Sequence, residues 1–169
     1  MLSRLVVVVV LASVMFGCGG GPTPSPTPSA GVVAVIVDGD SPGTFVSPEQ
    51  EPDDCSYAAY VPDMWIADYT NFQSSEKGIL QASMWDQPDE NNPGSRLINV
   101  LVSVGTGSNH KNYEVIAGAD DPPIEHSIVE ANGGAIFHAH FTSTVVAPTG
   151  DVPGVEVDVT FRCAVVEGR

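Results

Sequence analysis

The sequence predicts an all-β fold, an antiparallel sandwich of about seven to nine strands with one disulfide, and three observations predict it. Short apolar runs alternate with polar residues at period two. Turn clusters such as "DGDSPG", "DQPDENNPG", "GTGSNHKN" and "ADDPP" separate these runs at short spacing. No ten-residue stretch keeps a helical period with recognisable caps.

The chain opens on a segment of different character. Arg4 is followed by an apolar run from Leu5 to Phe16, then Gly17 and Cys18. A basic start, an apolar core of about 7 to 15 residues and a small residue at the cut are the layout of a bacterial secretion signal. About twelve apolar residues fall short of the roughly 20 that span a bilayer. Residues 1–17 therefore read as an export signal, not an anchor.

The stretch "MFGC", Met15 to Cys18, resembles the lipobox of bacterial lipoproteins, with Met15 where that motif commonly has Leu and Phe16 where it has a small residue. The resemblance implies that the peptide is cut before Cys18, whose sulfur and new amino group are acylated. Each buried methylene contributes about 0.8 kcal/mol and stable anchoring takes more than one chain, so Cys18 would be the membrane attachment. The alternative is a plain secreted protein with Cys18 unlipidated.

From Gly19 to Ala30 the chain is glycine, then proline alternating with Thr or Ser, without a large apolar residue. Such a stretch has nothing to bury against the entropy of ordering and serves as a semi-rigid tether. Residues 31–169 are expected to form one domain, long enough to bury a sizeable core.

All twenty-one acidic residues follow the signal, and the cut would remove Arg4, leaving five basic residues and a charge near −16. Nucleic acid and anionic lipid surfaces are therefore poor partners. Past the inner membrane disulfides persist, so Cys55 and Cys163 are expected to pair. The bridge would close a loop of about 108 residues, on the order of 4 to 5 kcal/mol in the chain-entropy model. A metal or nucleophilic role lacks a nearby CxxC or His partner.

The expected strands, in order, are Val32 to Val37, Ser56 to Tyr60, Met64 to Asp68, Gly78 to Trp85, Leu97 to Val104, Tyr113 to Ala117, Ile124 to Glu130, Ala135 to Val146 and Val155 to Val166. Their number and spacing suit an immunoglobulin-like or related sandwich. The last two alternate strictly, and Ala147 to Gly154 joins them as a hairpin. Phe137, Ala139, Phe141 and Val145 share one face, as do Val155, Val157, Val159, Phe161 and Cys163 on the partner. Both faces are expected in the core, which points Glu156, Asp158, Thr160 and Arg162 to solvent.

On that outer face stand His138 and His140 of "IFHAHF". Two histidines at i and i+2 on a strand can present both imidazoles to one copper or zinc ion, with Asp158 of the paired strand as a third ligand. With Val145 opposite Val155, His140 would face Thr160 and lie diagonal to Asp158. His110 and His126 are further potential ligands. The segment resembles the HxH strand of copper–zinc superoxide dismutases, whose other ligands have no counterpart here. The alternative is two solvent-facing histidines balanced by acids.

Calcium is the other metal considered, since Asp38 to Asp40, Asp86 to Asn91 and Ala119 to Asp121 place oxygen ligands in turns. Asp and Asn are also what turns use structurally. Trp65, Trp85, Tyr57, Tyr60, Tyr69 and Phe72 are either core residues or a sugar-binding platform. GxSxG, HExxH and P-loop patterns are absent, so no enzyme is expected.

Lipobox, tether, paired cysteines and closing hairpin together resemble the mycobacterial nineteen-kilodalton lipoprotein antigens. "VIVDG" at Val35 to Gly39, the following cysteine, "ILQASMWDQ", "RLINVLVSV" and the closing "VEVDVTFRC" carry the resemblance. It implies a non-enzymatic envelope protein whose lipid is sensed by innate immune receptors and whose folded part is a surface antigen. The expected function is thus a lipid-anchored binding or structural module at the cell surface or periplasm, with an unknown protein or glycan partner. The alternative is a copper- or zinc-binding envelope protein using His138 and His140.

Overall fold

In a computed structural model, residues 31–38, 42–47, 52–73, 75–118, 124–145 and 152–169 are described. The expected signal, Cys18 and the tether lie outside them, as do Asp40 and the calcium candidate at Ala119 to Asp121. No helix among the described residues is long and apolar enough to cross a membrane.

Ten strands form: β1 (Gly31–Val37), β2 (Gly43–Val46), β3 (Asp54–Tyr57), β4 (Trp65–Thr70), β5 (Ile79–Pro88), β6 (Arg96–Thr106), β7 (Asn109–Ala117), β8 (Glu125–Ala131), β9 (Gly134–Val145) and β10 (Val152–Cys163). The first sheet has the order β2-β1-β10-β9-β8 and the second β3-β4-β5-β6-β7, both antiparallel throughout. Alternation places one face of each sheet inward. From the first come Val32, Ile36, Phe137, Phe161 and Val159; from the second, Tyr69, Met84, Val100, Val102 and Tyr113. These side chains make one continuous core between the sheets, the arrangement of a β-sandwich.

Two connections are dictated by local chemistry. Asn132 (φ 54°) and Gly133 (φ 83°) both occupy the left-handed region between β8 and β9, the two-residue hairpin loop that Asn-Gly favours. At the β6–β7 turn Gly105 has φ 106°, and a Cβ there would sit 2.7 Å from the Asn109 carbonyl oxygen. Only glycine fits that approach.

The disulfide joins Cys55 on β3 to Cys163 on β10 with Cα atoms 6.1 Å apart, linking the two sheets covalently. The chain beyond β10 returns along β3: Tyr57 N–H donates to Glu167 O and Glu167 N–H to Cys55 O. Further along, Ser143 of β9 accepts from Glu114 N–H of β7 and donates to its carbonyl, a second inter-sheet tie.

Several expectations need correction. Among the described residues one strand, Gly43–Val46, is additional to those expected, because it buries only Phe45, too little apolar signal to announce a strand. β3 ends at Tyr57, not Tyr60, because Ala58 turns left-handed at φ 55°. β7 starts at Asn109, four residues early, since its polar start pairs with the end of β6. The hairpin register differs too: Val145 opposes Val152 and Ser143 opposes Val155, so His140 faces Asp158 and Thr160 faces His138. An irregularity between Val152 and Val155, with Gly154 at φ 92°, takes up the difference. The main register moves by two residues, which keeps the faces of the paired strands as expected. Phe137, Ala139, Phe141, Val155, Val157, Val159, Phe161 and Cys163 are indeed buried.

Candidate functional site

Three groups of side chains carry chemistry. The first is the histidine cluster on the outer face of the first sheet. His138 Nε2–H donates to Asp158 Oδ2 at 2.9 Å, and His140 Nδ1 lies 3.9 Å from the same oxygen. The structure thus brings together the three residues expected there. Theirs is a hydrogen-bonded surface cluster, and no group of three or more His, Cys, Asp and Glu side chains among the described residues is placed to hold a metal. His126 lies instead beside Asp86, and His110 Nδ1 meets Gly107 O in the β6–β7 turn.

The second group lines an open cleft of about 660 Å³ where β8 of the first sheet approaches the second. Asp86 points into it and is buried, where an unpaired carboxylate would be costly. Arg96 compensates: its Nε donates to Asp86 Oδ1, and its Nη2 to the carbonyls of Asp86 and Asp63 at 2.8 and 2.9 Å. His126 Nε2 stands 3.6 Å from the other Asp86 oxygen. Opposite, the Arg169 guanidinium lies 4.0 Å from the Tyr57 ring centre and 4.9 Å from that of Trp65, and pairs with Glu130 at 3.3 Å. Tyr57 donates to Asp63, which raises its phenol above the ordinary value. Both arginines are matched by acids; Arg96 and Asp86 belong to the same sheet, while His126 beside Asp86 and Arg169 between Glu130 and the Tyr57 and Trp65 rings clasp one sheet to the other.

The third group stands on the outer face of the second sheet. β3 pairs with β4 so that Asp54 faces Asp68 and Ser56 faces Ile66, while β5 sets Trp85 opposite Ile66. Because Cys55, Ala67 and Met84 are in the core, the alternate residues Asp54, Ile66, Asp68, Trp85 and Gln87 all face outward. The segment after β3, turned by left-handed Ala58 and Asp63, folds back with Ala58 N–H donating to Met64 O. Its Tyr60 and Val61 overhang the strands, which buries Met64 and Ile66 although they face away from the core.

The result is a cleft of about 370 Å³ with a floor of Met64 and Ile66 and walls of Tyr60, Val61 and Trp85, carrying Asp54, Asp68 and Gln87 as its polar groups. Trp85 Nε1–H donates to Asp68 Oδ1 at 2.9 Å, which fixes the indole. Partial burial raises the Asp68 carboxyl above its ordinary value against that hydrogen bond, and the Asp54 and Asp53 charges raise it further.

The aromatic set expected either in the core or on a platform divides. Tyr69 is fully buried, and Tyr57 and Trp65 pack against the core in a tilted stack at 4.7 Å. Trp85, Tyr60 and Phe72 remain 42%, 75% and 86% exposed. Of the calcium candidates, Asp86 is on a strand, not in a turn, and is held by Arg96, while Asp89 Oδ1 accepts Asn91 N–H within its own turn. No protein-family model, curated protein or solved structure matches this chain.

Proposed function

We propose that the protein is a lipid-anchored lipoprotein of the bacterial cell envelope, tied to a membrane through acylated Cys18 and presenting a non-enzymatic binding module to the periplasm or exterior. The observation that carries this reading is the division of labour among three cysteines. Cys55 and Cys163 are consumed by the disulfide between the sheets. Cys18 lies outside the described residues, and in the sequence it stands between an apolar run and a Pro-rich spacer, the placement that the lipobox resemblance implies.

The side-chain clusters favour binding over catalysis. The buried carboxylate among the described residues, Asp86, is held by Arg96 through its side chain and its own carbonyl. A disulfide across the sandwich suits an oxidising compartment beyond the inner membrane.

The test is metabolic labelling of the full chain in a bacterial host with a clickable palmitate analogue, together with the mass of the amino-terminal peptide. The expected result is a mature chain starting at Cys18 and carrying acyl groups, with labelling abolished in Cys18→Ser. An unlabelled chain beginning elsewhere overturns the reading in favour of plain secretion.

A further inference from the structure

The geometry points to an organic cation, an alkyl- or trimethylammonium group, as the ligand of the outer-face cleft formed by Tyr60, Trp85, Asp54 and Asp68. This inference rests on reading the domain as a binding module and names what the module binds.

Two features of the cleft converge on that chemistry. First, its walls are aromatic and aliphatic, and its volume falls at the lower end of the range of small-molecule sites. Trp85 and Tyr60 stay substantially exposed beside a floor of buried Met64 and Ile66, so the apolar surface is present without an internal partner. Aromatic faces attract cations through the ring quadrupole, and more strongly once the cation is desolvated.

Second, the two carboxylates have no cationic partner among the described residues. Asp68 accepts one hydrogen bond, from Trp85, and Asp54 faces it directly across β3 and β4. Elsewhere among the described residues Asp86 has Arg96 and Glu130 has Arg169. A positive ligand supplies the missing charge.

The competing ligand classes fit less well. An anion would meet Asp54 and Asp68 and a chain of net charge −15. A hard metal ion wants six to eight oxygens and would lie against Met64, Ile66 and Val61. A neutral sugar would use the aromatic walls but leave two facing carboxylates uncompensated.

The experiment titrates the full chain in non-ionic detergent with choline, and in parallel with 3,3-dimethylbutanol, its uncharged isostere, at constant ionic strength. Calorimetry and tryptophan fluorescence are the readouts, and the thermal midpoint of every variant is recorded alongside. Choline is expected to bind saturably and the isostere about tenfold or more weakly. Asp54→Asn and Asp68→Asn should each weaken choline by about fivefold, and Trp85→Ala should remove binding. Trp85→Phe should keep calorimetric binding while losing most of the fluorescence response.

Equal binding of choline and its isostere, no saturable binding of choline, or choline binding indifferent to Asp68→Asn and Trp85→Ala would each overturn the inference. Saturable binding of cellohexaose, run as a third titrant, in place of choline would overturn it in favour of sugars. The amino-terminal mass of the same preparation separates the two readings. Acylated protein that ignores choline sinks the ligand alone, and unacylated protein that binds choline sinks the anchor alone.

Discussion

The outer faces of the two sheets are built from the same alphabet and solve the problem of their acids in opposite ways. On the first sheet Asp158 is flanked by His138 and His140, with Thr160 and Arg162 further along the strand. There Asp158 has a hydrogen-bond partner, His138, and a second imidazole, His140, within reach on the neighbouring strand. On the second sheet Asp54 and Asp68 face each other with no base nearby, and Trp85, Tyr60 and Met64 stand between solvent and strand. The first face is finished as it stands; the second is organised for something else to complete it. Charge alone therefore does not mark a site in so acidic a chain, whereas uncompensated charge beside exposed aromatic surface does.

That comparison is broken most severely where the sheets are joined. Replacing Cys55 and Cys163 together by Ala should cost about 2 to 5 kcal/mol, seen as a lower midpoint in guanidinium unfolding, and should loosen both faces alike. Next comes the clasp. Asp86→Ala removes the acid that Arg96 surrounds, and because Arg96 is part-exposed the expected loss is about 1 to 3 kcal/mol rather than that of a fully buried pair. Ser143→Ala, which cuts the hydrogen bonds from β9 to Glu114 of β7, should cost about 1 kcal/mol by the same assay. A loss near zero there would mean the sheets are held at that end by apolar contact alone.

Much of this was legible in the sequence, and the parts that were not have a common cause. The β9–β10 hairpin could be read because strict alternation of Phe137, Ala139 and Phe141 against Val155, Val157, Val159 and Phe161 leaves one way to bury both strands. Its register could not, because the irregularity before Val155 depends on chain conformation and not on side-chain period. The outer-face cleft was missed for a related reason. Trp85 and Asp68 are 17 residues apart in sequence, and only the pairing of β4 with β5 makes them neighbours. A partial signal was present: in "ILQASMWDQ" Trp85 falls out of phase with Ala82 and Met84, which puts a large aromatic on the solvent side. The overhang of Tyr60 and Val61, which turns an open face into a cleft, rests on left-handed Ala58 and Asp63. Ala does not announce that conformation, and Asp is enriched in it without fixing it.

The most direct test of the contrast between the faces is the stability of Asp68→Asn and Asp158→Asn, followed by chemical unfolding across pH. Asp68 has a folded value raised above 3.8, so the wild type is most favoured below about 3.8 and loses that advantage as pH rises through the raised value. Asp68→Asn, which keeps an oxygen for Trp85, should therefore match the wild type in acid. At neutral pH it should exceed it by a few tenths of a kcal/mol, the part-exposed site being screened. Asp158→Asn likewise keeps an oxygen for His138 but removes the carboxylate charge beside His138 and His140, and should lower stability at neutral pH by about the same amount. Opposite signs at neutral pH are the predicted result. Two losses of similar size would contradict the account, since they would mean that Asp68 is as well compensated as Asp158.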